Sequence, residues 1–329
     1  QYFAHDELLR TFDGVFSGRV DTPAERENLE TLAAALKPLS TWNALNTIQE
    51  AREACGGSGF MAENRLVGLR SDLDVYVTFE GDNNVLLQLV GKRLLADFAK
   101  QFKGADAATL AKFAVGQTAG KVFHGAGLRS LGQTVADFGS TARSVELGLR
   151  AEQQHELLAG RVEQMVADIA GALRPASKLP SDKAAALFNQ HQAELIEAAR
   201  AHGELLQWEA FSDAVKGTEN ESTRQVLTWL RDLFGLHLIE KHLAWHLING
   251  RLSTQRGAAV SKYIDRLCAR LRPHAQDLVD AFGFAPEHVR APIASGVERQ
   301  RQDEARAHYA DLAARGEAPI PEKSLKKKK

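Results

Sequence analysis

The sequence of 329 residues is poor in cysteine, with only Cys55 and Cys268, which lie far apart. So low a count argues against a disulfide framework and a cysteine-based zinc site, and it favours a reducing compartment. No apolar run approaches the roughly 18 residues needed to span a bilayer, and no charged-then-apolar leader is recognisable. The sequence therefore predicts no membrane partner and does not fit the disulfide-rich secreted class.

The chain also lacks an excess of charge of either sign, since 41 Lys and Arg residues stand against 42 Asp and Glu residues, for a net charge of -1. A balanced chain has no global field for gathering nucleic acid, so we predict no nucleic-acid partner. The local exception, Lys326–Lys329, is interpreted as a solvated tail. A lysine ending instead of Ser-Lys-Leu favours the cytoplasm, with the peroxisome as the alternative.

Strand patterns are nearly absent, the best alternation being the short run Val75–Phe79. Apolar residues instead recur at three- and four-residue spacings, as in Leu158–Leu173, Val226–Trp245 and Ile264–Phe282. Cys268 lies on the last of these stripes, so we expect it to be a small buried side chain. The periodicity predicts an all-α fold in two helical bundles that meet near residue 105.

Prolines and glycines mark the expected ends of the helices. The pair Lys37-Pro38 predicts a helix boundary, and Pro273, inside a periodic stretch, predicts a kink or a break into two helices. A glycine-rich turn at Gly56–Gly59 is expected to follow a helix that ends at Cys55.

The segment before Val85 carries the most chemical information. An apolar helix begins near Val85, and Asp82 and Asn83 are natural N-cap residues for it. Its N-terminus suits an anionic or hydrogen-bonding ligand. Glu80 precedes the cap on non-helical backbone, where partial desolvation would raise its pKa toward a value useful for a general base. The residues alone favour a simpler interpretation, in which Gly56 and Gly57 form the C-cap of a helix and Glu80 is a solvated loop acid beside a capped helix.

The order and spacing of REACGGSGF, NRLVGLRSDLDV and TFEGDNNVLLQLV resemble the C-terminal signature of acyl-CoA oxidases, which are relatives of the acyl-CoA dehydrogenases. The later segment LVDAFGFAPEHVRAPIA resembles the ending of the oxidases, so the resemblance covers nearly the whole chain. Dehydrogenases stop soon after their equivalent of Phe98, whereas the helical pattern continues here. This continuation favours an oxidase over a dehydrogenase.

The resemblance implies a flavin-dependent enzyme that converts acyl-CoA to trans-2-enoyl-CoA and passes electrons to oxygen, giving hydrogen peroxide. It implies that Glu80 removes the α-proton of the thioester, while the backbone N–H of Glu80 polarises the carbonyl. FAD is the implied cofactor, contacted by Asp82 and Asn84. In a homodimer, Gly56 and Gly57 would lie against the pyrophosphate of an FAD held largely by the partner subunit.

Two positions depart from the family pattern. Glu53 stands where relatives often have Gln, and Asn84 stands where oxidases often have Thr. The change at Glu53 removes an amide that contacts the flavin in the family, whereas the change at Asn84 keeps a polar side chain.

The same resemblance implies a domain division. Residues 1–105 would form a first C-terminal helical domain with the base and flavin-contact motifs, residues 106–318 a second one of oxidase type, and residues 319–329 a flexible basic tail. We expect the N-terminal half of the same enzyme to supply the rest of the pocket. The alternatives are a non-catalytic helical assembly or binding protein that retains the motif, and an acyl-CoA dehydrogenase.

Three further patterns favour ordinary helix packing. The run His237–His246 lacks an HExxH pattern and an evident third ligand, so we predict no metal site. No strand pattern precedes Gly125–Gly127, and the third glycine is misplaced for a dinucleotide loop. The charged run at 297–317 is interpreted as a solvated helix.

Overall fold

The structure is a computed structural model that describes residues 1–102, 149–285 and 287–318. Every regular element in these ranges is helical, which confirms the all-α prediction. The α-helices, numbered along the described chain, are α1 Tyr2–Phe16, α2 Pro23–Ala54, α3 Leu66–Asp74, α4 Asn83–Phe102, α5 Ala151–Leu173, α6 Ser181–Gln190, α7 Gln192–Lys216, α8 Glu221–Lys241, α9 Leu243–Ile248, α10 Thr254–Leu271, α11 Ala275–Asp280 and α12 Val297–Ala314. Short 3-10 helices lie at Gly56–Phe60, Ala62–Asn64, Val75–Val77, Arg174–Lys178 and Arg272–His274.

The packing of the helices divides the chain into two units. Unit 1 comprises Gln1–Trp42 and Tyr76–Asp277, and unit 2 comprises Asn43–Val75 and Leu278–Lys329. The predicted boundary near residue 105 and the glycine pattern at Gly125–Gly127 both lie outside the described residues. The division into 1–105, 106–318 and 319–329 therefore stays a prediction.

Helix α7 is the centre of the unit 1 core. On one side, Leu205 and Trp208 join a large apolar cluster with residues of α5, α8 and α10. On other sides, Ala199 packs in a cluster with α2 and α4, and Ala210 packs in a cluster with α1 and α2. Because α7 is covered on several sides, apolar and small residues surround it rather than forming one stripe.

The proline at position 38 does not end a helix, so the predicted boundary at Lys37-Pro38 is wrong. Pro38 lies inside α2, although an interior proline removes one helical hydrogen bond and costs about 3 kcal/mol. Burial of Leu36 and Leu39 on the same turns offsets this cost, since a buried leucine contributes roughly 1.5–3 kcal/mol. The Thr41 hydroxyl also donates to the carbonyls of Lys37 and Pro38, each at 3.1 Å.

The predicted apolar stripe that includes α10 agrees with the structure only in part. The prediction of a break at Pro273 is confirmed, because α10 ends at Leu271 and α11 begins after a 3-10 turn. The expected burial of Cys268 is wrong, since Cys268 is exposed. Leu267 and Leu271 face the core instead, and Cys268 lies about 100° around the helix from Leu267.

The short alternation at Val75–Phe79 does not form a strand. Val75–Val77 is a 3-10 helix, and a turn follows it. Helix α12 has no buried residue, which agrees with the interpretation of the charged run as a solvated helix.

Candidate functional site

The turn before α4 presents Glu80. Glu80 has a φ of 55° and the next residue, Gly81, has a φ of 102°. A positive φ at a non-glycine residue costs on the order of 1–3 kcal/mol and persists only when its surroundings hold it. The Glu80 side chain is exposed on non-helical backbone, as the sequence predicted. The strained backbone of this turn therefore places the Glu80 carboxylate in an exposed position.

Lys37 of α2 is hydrogen-bonded to this turn. Its Nζ donates to the carbonyl oxygen of Gly81 at 2.6 Å and to Oδ1 of Asn83 at 2.8 Å. Asn83, which is only 1% exposed, donates through Nδ2 to Oγ1 of Thr41 at 3.0 Å. Helix α2 is therefore joined to the turn and to the first residue of α4 by a connected polar network, the Lys37–Asn83–Thr41 network.

Asp82 caps helix α4. Its Oδ1 accepts hydrogen bonds from the backbone N–H of Asn84 at 2.9 Å and of Val85 at 3.3 Å. The sequence indicated a helix N-terminus open to a ligand, but Asp82 already occupies two of those N–H groups. A ligand at this end would meet the exposed side chain of Asn84 and the half-buried Asp82.

Apolar side chains surround the turn on the surface of unit 1. Phe79, Tyr76, Val85 and Leu89 are all exposed, and the Phe79 ring is 55% accessible. The rings of Tyr76 and Phe79 meet edge to face at 6.0 Å between centroids. Exposed apolar groups clustered beside a carboxylate form a surface that a partner domain or an apolar ligand would cover.

In unit 2, the glycines of the turn Gly56–Gly59 differ in how much space surrounds them. Gly56 has a φ of 56°, and a β-carbon at Gly56 or Gly57 would meet nothing within 4 Å. Gly59 is buried, and a β-carbon there would lie 2.0 Å from the carbonyl oxygen of Arg52. The first two glycines leave their backbone accessible to a ligand, whereas the third lets the turn pack back onto the end of α2.

Two arginines of unit 2 accompany this turn. Arg52 and Arg70 both donate to Oε1 of Gln49, at 2.8 Å and 2.6 Å. The Arg52 guanidinium also lies 4.7 Å from the centre of the Phe60 ring. Glu53, at the position that often holds Gln in the family, accepts a hydrogen bond from Gln49. The pair of guanidinium groups supplies positive charge that suits an anionic ligand.

Asn64 connects the glycine turn to the later chain within unit 2. It is 1% exposed, donates through Nδ2 to the carbonyl of Ser58 at 2.9 Å, and accepts from the backbone N–H of Ile293 at 3.0 Å. The segment that resembles the oxidase ending is therefore linked through Asn64 to Ser58 of the glycine turn.

Sequence analysis missed the polar residues that organise both turns. Lys37 was interpreted only as a residue before a proline, and Asn83 only as an alternative cap. Lys37 lies 44 residues before Gly81, and Asn64 lies 229 residues before Ile293. Neither pairing leaves a local signal in one sequence.

The histidine run belongs to a buried charged cluster. His242 lies 3.3 Å from Glu204, which also pairs with Lys241 at 2.7 Å. Burial raises the pKa of Glu204, but the neighbouring side chains of His242 and Lys241 outweigh this effect and bring the pKa to about 2. Burial lowers the pKa of His246 to about 3, aided by the charge of Arg161.

Among the described residues, no group of three His, Cys, Asp or Glu side chains could hold a metal ion. In the same ranges, no helix combines the length and apolar character that crossing a membrane requires.

Comparison with known protein families gives two matches that together cover most of the chain. Residues 3–95 match the family described as "Acyl-CoA oxidase, C-alpha1 domain", and residues 150–296 match the family described as "Acyl-CoA oxidase".

Curated relatives carry related names. A mouse "Acyl-coenzyme A oxidase-like protein" is 28% identical over 288 residues, which are 87% of this chain and 43% of the relative. An Arabidopsis thaliana "Putative acyl-coenzyme A oxidase 3.2, peroxisomal" is 30% identical over 279 residues, 83% of this chain and 38% of the relative. A human "Peroxisomal acyl-coenzyme A oxidase 3" is 52% identical over 99 residues, 29% of this chain and 14% of the relative. The chain spans about two fifths of the first two relatives and matches their C-terminal part.

Solved structures share the fold. Arabidopsis thaliana acyl-CoA oxidase 1 has a TM-score of 0.72 at 23% identity, covering 92% of this chain and 44% of that one. Acyl-CoA oxidase-1 of Caenorhabditis elegans, complexed with FAD and ATP, has a TM-score of 0.69 at 20% identity, covering 88% of this chain and 41% of that one.

Proposed function

Because this chain belongs to the acyl-CoA oxidase family and corresponds to the C-terminal part of its relatives, we propose that it is the part of a flavin-dependent acyl-CoA oxidase that carries the catalytic base. The proposed reaction desaturates acyl-CoA to trans-2-enoyl-CoA and gives hydrogen peroxide, as a step of fatty-acid β-oxidation. The observation that carries the proposal is the strained turn that presents Glu80. Since the chain spans about two fifths of its relatives, the activity is proposed for the enzyme that also contains the N-terminal half.

Glu80 is the proposed base. The α-proton of a thioester is weakly acidic, so its removal needs a positioned base and a donor to the developing oxyanion. A positioned base contributes about 10²–10⁴-fold, and one oxyanion donor contributes roughly 2.7–4 kcal/mol. The Glu80 carboxylate is exposed, and its backbone N–H donates to no other described residue. Both groups are thus free to meet an α-carbon and a thioester oxygen.

The surroundings of Glu80 suit the proposed substrate. Phe79 and Tyr76 lie beside the carboxylate and Val85 follows the cap, all of them exposed in this chain. Once the N-terminal half and the acyl group cover these side chains, the carboxylate loses water. Desolvation raises the pKa of a carboxyl group and brings it closer to that of an effective base.

The residues present also fit FAD, which the C. elegans relative binds. Gly56 and Gly57 offer open backbone to a pyrophosphate, and Arg52 and Arg70 add positive charge in the same unit. Asp82 and Asn84 are the proposed contacts at the start of α4. When bound, FAD supplies the acceptor for the hydride from the β-carbon and passes its electrons to oxygen. A homodimer that brings the glycine turn to the FAD of a partner is also part of the proposal.

The test is Glu80→Gln in the complete enzyme. We expect the variant to retain FAD but to lose reduction of the flavin by a saturated acyl-CoA, followed as bleaching of the flavin absorbance in a stopped-flow instrument. Asp72→Asn, at an exposed acid of α3, is the matched control and should be reduced like the unmodified enzyme. Rapid bleaching in Glu80→Gln would rule out Glu80 as the base. Absence of bleaching in the unmodified, FAD-loaded enzyme would instead favour the non-catalytic alternative.

For the compartment, the names of the Arabidopsis and human relatives support the peroxisome rather than the cytoplasm. Fluorescence microscopy of the full-length protein with a peroxisomal marker tests this assignment.

A further inference from the structure

We infer that Lys37 is a positioning residue for the proposed base, and that it acts through the Lys37–Asn83–Thr41 network. This inference rests on the proposed role of Glu80. It adds to that proposal a residue on another helix, 43 positions away in sequence, that fixes where the Glu80 carboxylate points.

The first support is the conformation of the turn. Glu80 and Gly81 are consecutive residues with positive φ, and such backbone relaxes unless other contacts hold it. The cap by Asp82 fixes only the side of the turn that faces α4. The carbonyl of Gly81 is held by the Lys37 ammonium at 2.6 Å, directly after Glu80. Without that contact, the turn has no described anchor on its Gly81 side to a different helix.

The second support is the complete pairing of Asn83. The side chain is buried, its Oδ1 accepts from Lys37 and its Nδ2 donates to Thr41. Lys37 and Thr41 are four residues apart, so they lie on the same face of α2. Asn83 is the first residue of α4. The network therefore fixes the start of α4 against one face of α2, because a buried amide that is hydrogen-bonded at both ends rigidifies its surroundings.

The third support is electrostatic. Burial, the larger effect, lowers the pKa of Lys37, while the negative charges of Asp82 and Glu80 act on it in the opposite direction. The Lys37 ammonium and the Glu80 carboxylate therefore attract each other. Loss of Lys37 should misplace the Glu80 carboxylate.

The experiment uses the complete FAD-loaded enzyme with Lys37→Met, Lys37→Arg and the control Lys92→Met, which removes an exposed lysine of α4. We expect Lys37→Met to lower kcat roughly 10- to 100-fold, as small misplacements do, with FAD content and KM near those of the unmodified enzyme. Lys37→Arg should recover part of kcat, and Lys92→Met should leave kcat unchanged.

Hydrogen exchange provides a structural readout. The amides of residues 79–85 should exchange faster in Lys37→Met, while those of α10 should not change. If Lys37→Met does not fold, Thr41→Val decides the question by the same measurements, because it removes the acceptor for Asn83 together with the local hydroxyl bonds to the carbonyls of Lys37 and Pro38. Unchanged kcat and unchanged exchange in the folded variant would overturn the inference. If Glu80→Gln is inactive while Lys37→Met behaves like the unmodified enzyme, only this inference fails; if Glu80→Gln is active, the proposed function fails.

Discussion

Gly59 and Arg52 approach so closely that a β-carbon on Gly59 would lie 2.0 Å from the Arg52 carbonyl oxygen and 2.8 Å from its carbonyl carbon. Both neighbours are backbone atoms of α2, which cannot rotate away as a side chain can. The glycine turn of unit 2 is therefore closed onto the end of α2 by a residue without a side chain. Gly56 and Gly57 of the same turn have no such close neighbour.

The first prediction compares two glycines of this turn. Gly59→Ala should lower the free energy of unfolding by about 1–3 kcal/mol or more, as overpacking does. Gly57→Ala should change it by less than about 0.5 kcal/mol, because its β-carbon meets nothing within 4 Å and its φ is not positive. Thermal unfolding followed by circular dichroism measures both. Equal losses of stability would contradict the close approach at Gly59.

The second prediction concerns Asn64. Asn64→Ala removes the donor to Ser58 and the acceptor for Ile293. Each buried group left without a partner costs about 1–3 kcal/mol, so we expect weaker stability and faster hydrogen exchange at the Ile293 amide. The Leu267 amide, in the unit 1 core, is the internal control and should keep its protection. Unchanged exchange at Ile293 would show that Asn64 does not hold this segment.

The third prediction concerns acid. The unfolded chain binds a proton at His246 near pH 6.5, whereas burial keeps the folded pKa at about 3. The unfolded state therefore holds more protons in between, and stability falls as pH drops from 6.5 toward 3. Glu204, whose folded pKa is about 2 against an ordinary 4.5, adds a similar loss only below pH 4.5.

His246→Leu isolates the histidine contribution. Neither ring nitrogen of His246 has a hydrogen-bond partner among the described residues, so leucine should be tolerated at pH 7. Between pH 7 and pH 5 the variant should lose less stability than the unmodified chain, as measured by urea unfolding at each pH. His308→Gln, at an exposed histidine of α12, should retain the original pH dependence. An unchanged slope in His246→Leu would refute the assignment.

The fourth prediction concerns assembly. By its resemblance to the family, the surface around Gly56, Gly57 and Arg65 should lie at or near a two-fold interface, so we expect a homodimer. Exposed Phe16, with an accessibility of 71%, is one of several apolar residues that favour association. The chain alone should bind FAD weakly or not at all. Light scattering and absorbance in the flavin band test both points, and a strict monomer with stoichiometric flavin would defeat them.

Local chemistry made part of this site predictable. Asp82 is a typical cap residue followed by an apolar run, and Glu80 precedes it beside a glycine. Both the cap and the non-helical position of Glu80 could therefore be predicted from residues that are neighbours in the sequence. The failure at Pro38 has a tertiary cause, because the burial of Leu36 and Leu39 carries α2 through the proline. Helix propensities describe residues one at a time, so they do not include the stabilisation that comes from burying Leu36 and Leu39.

The remaining features depend on distant pairings. Lys37 meets Gly81, and Asn64 meets Ile293, only after the chain has folded. The error at Cys268 is different in kind, since it came from drawing the apolar stripe of α10 one residue too wide. A helix rotates about 100° per residue, so a neighbour of a fully buried leucine can still face water.

The central position of α7 has a consequence for the order of events during synthesis. Leu36 of α2 packs in one cluster with Ala210 of α7, and Ala35 packs in another with Ala199. The ribosome adds about 5–20 residues per second, so α2 emerges roughly ten to thirty seconds before its partner. During that interval the apolar residues of α2 that pack on α7 lack the native surface that α7 supplies. This part of α2 should therefore be a segment that a nascent-chain chaperone binds while the chain up to α7 is being synthesised.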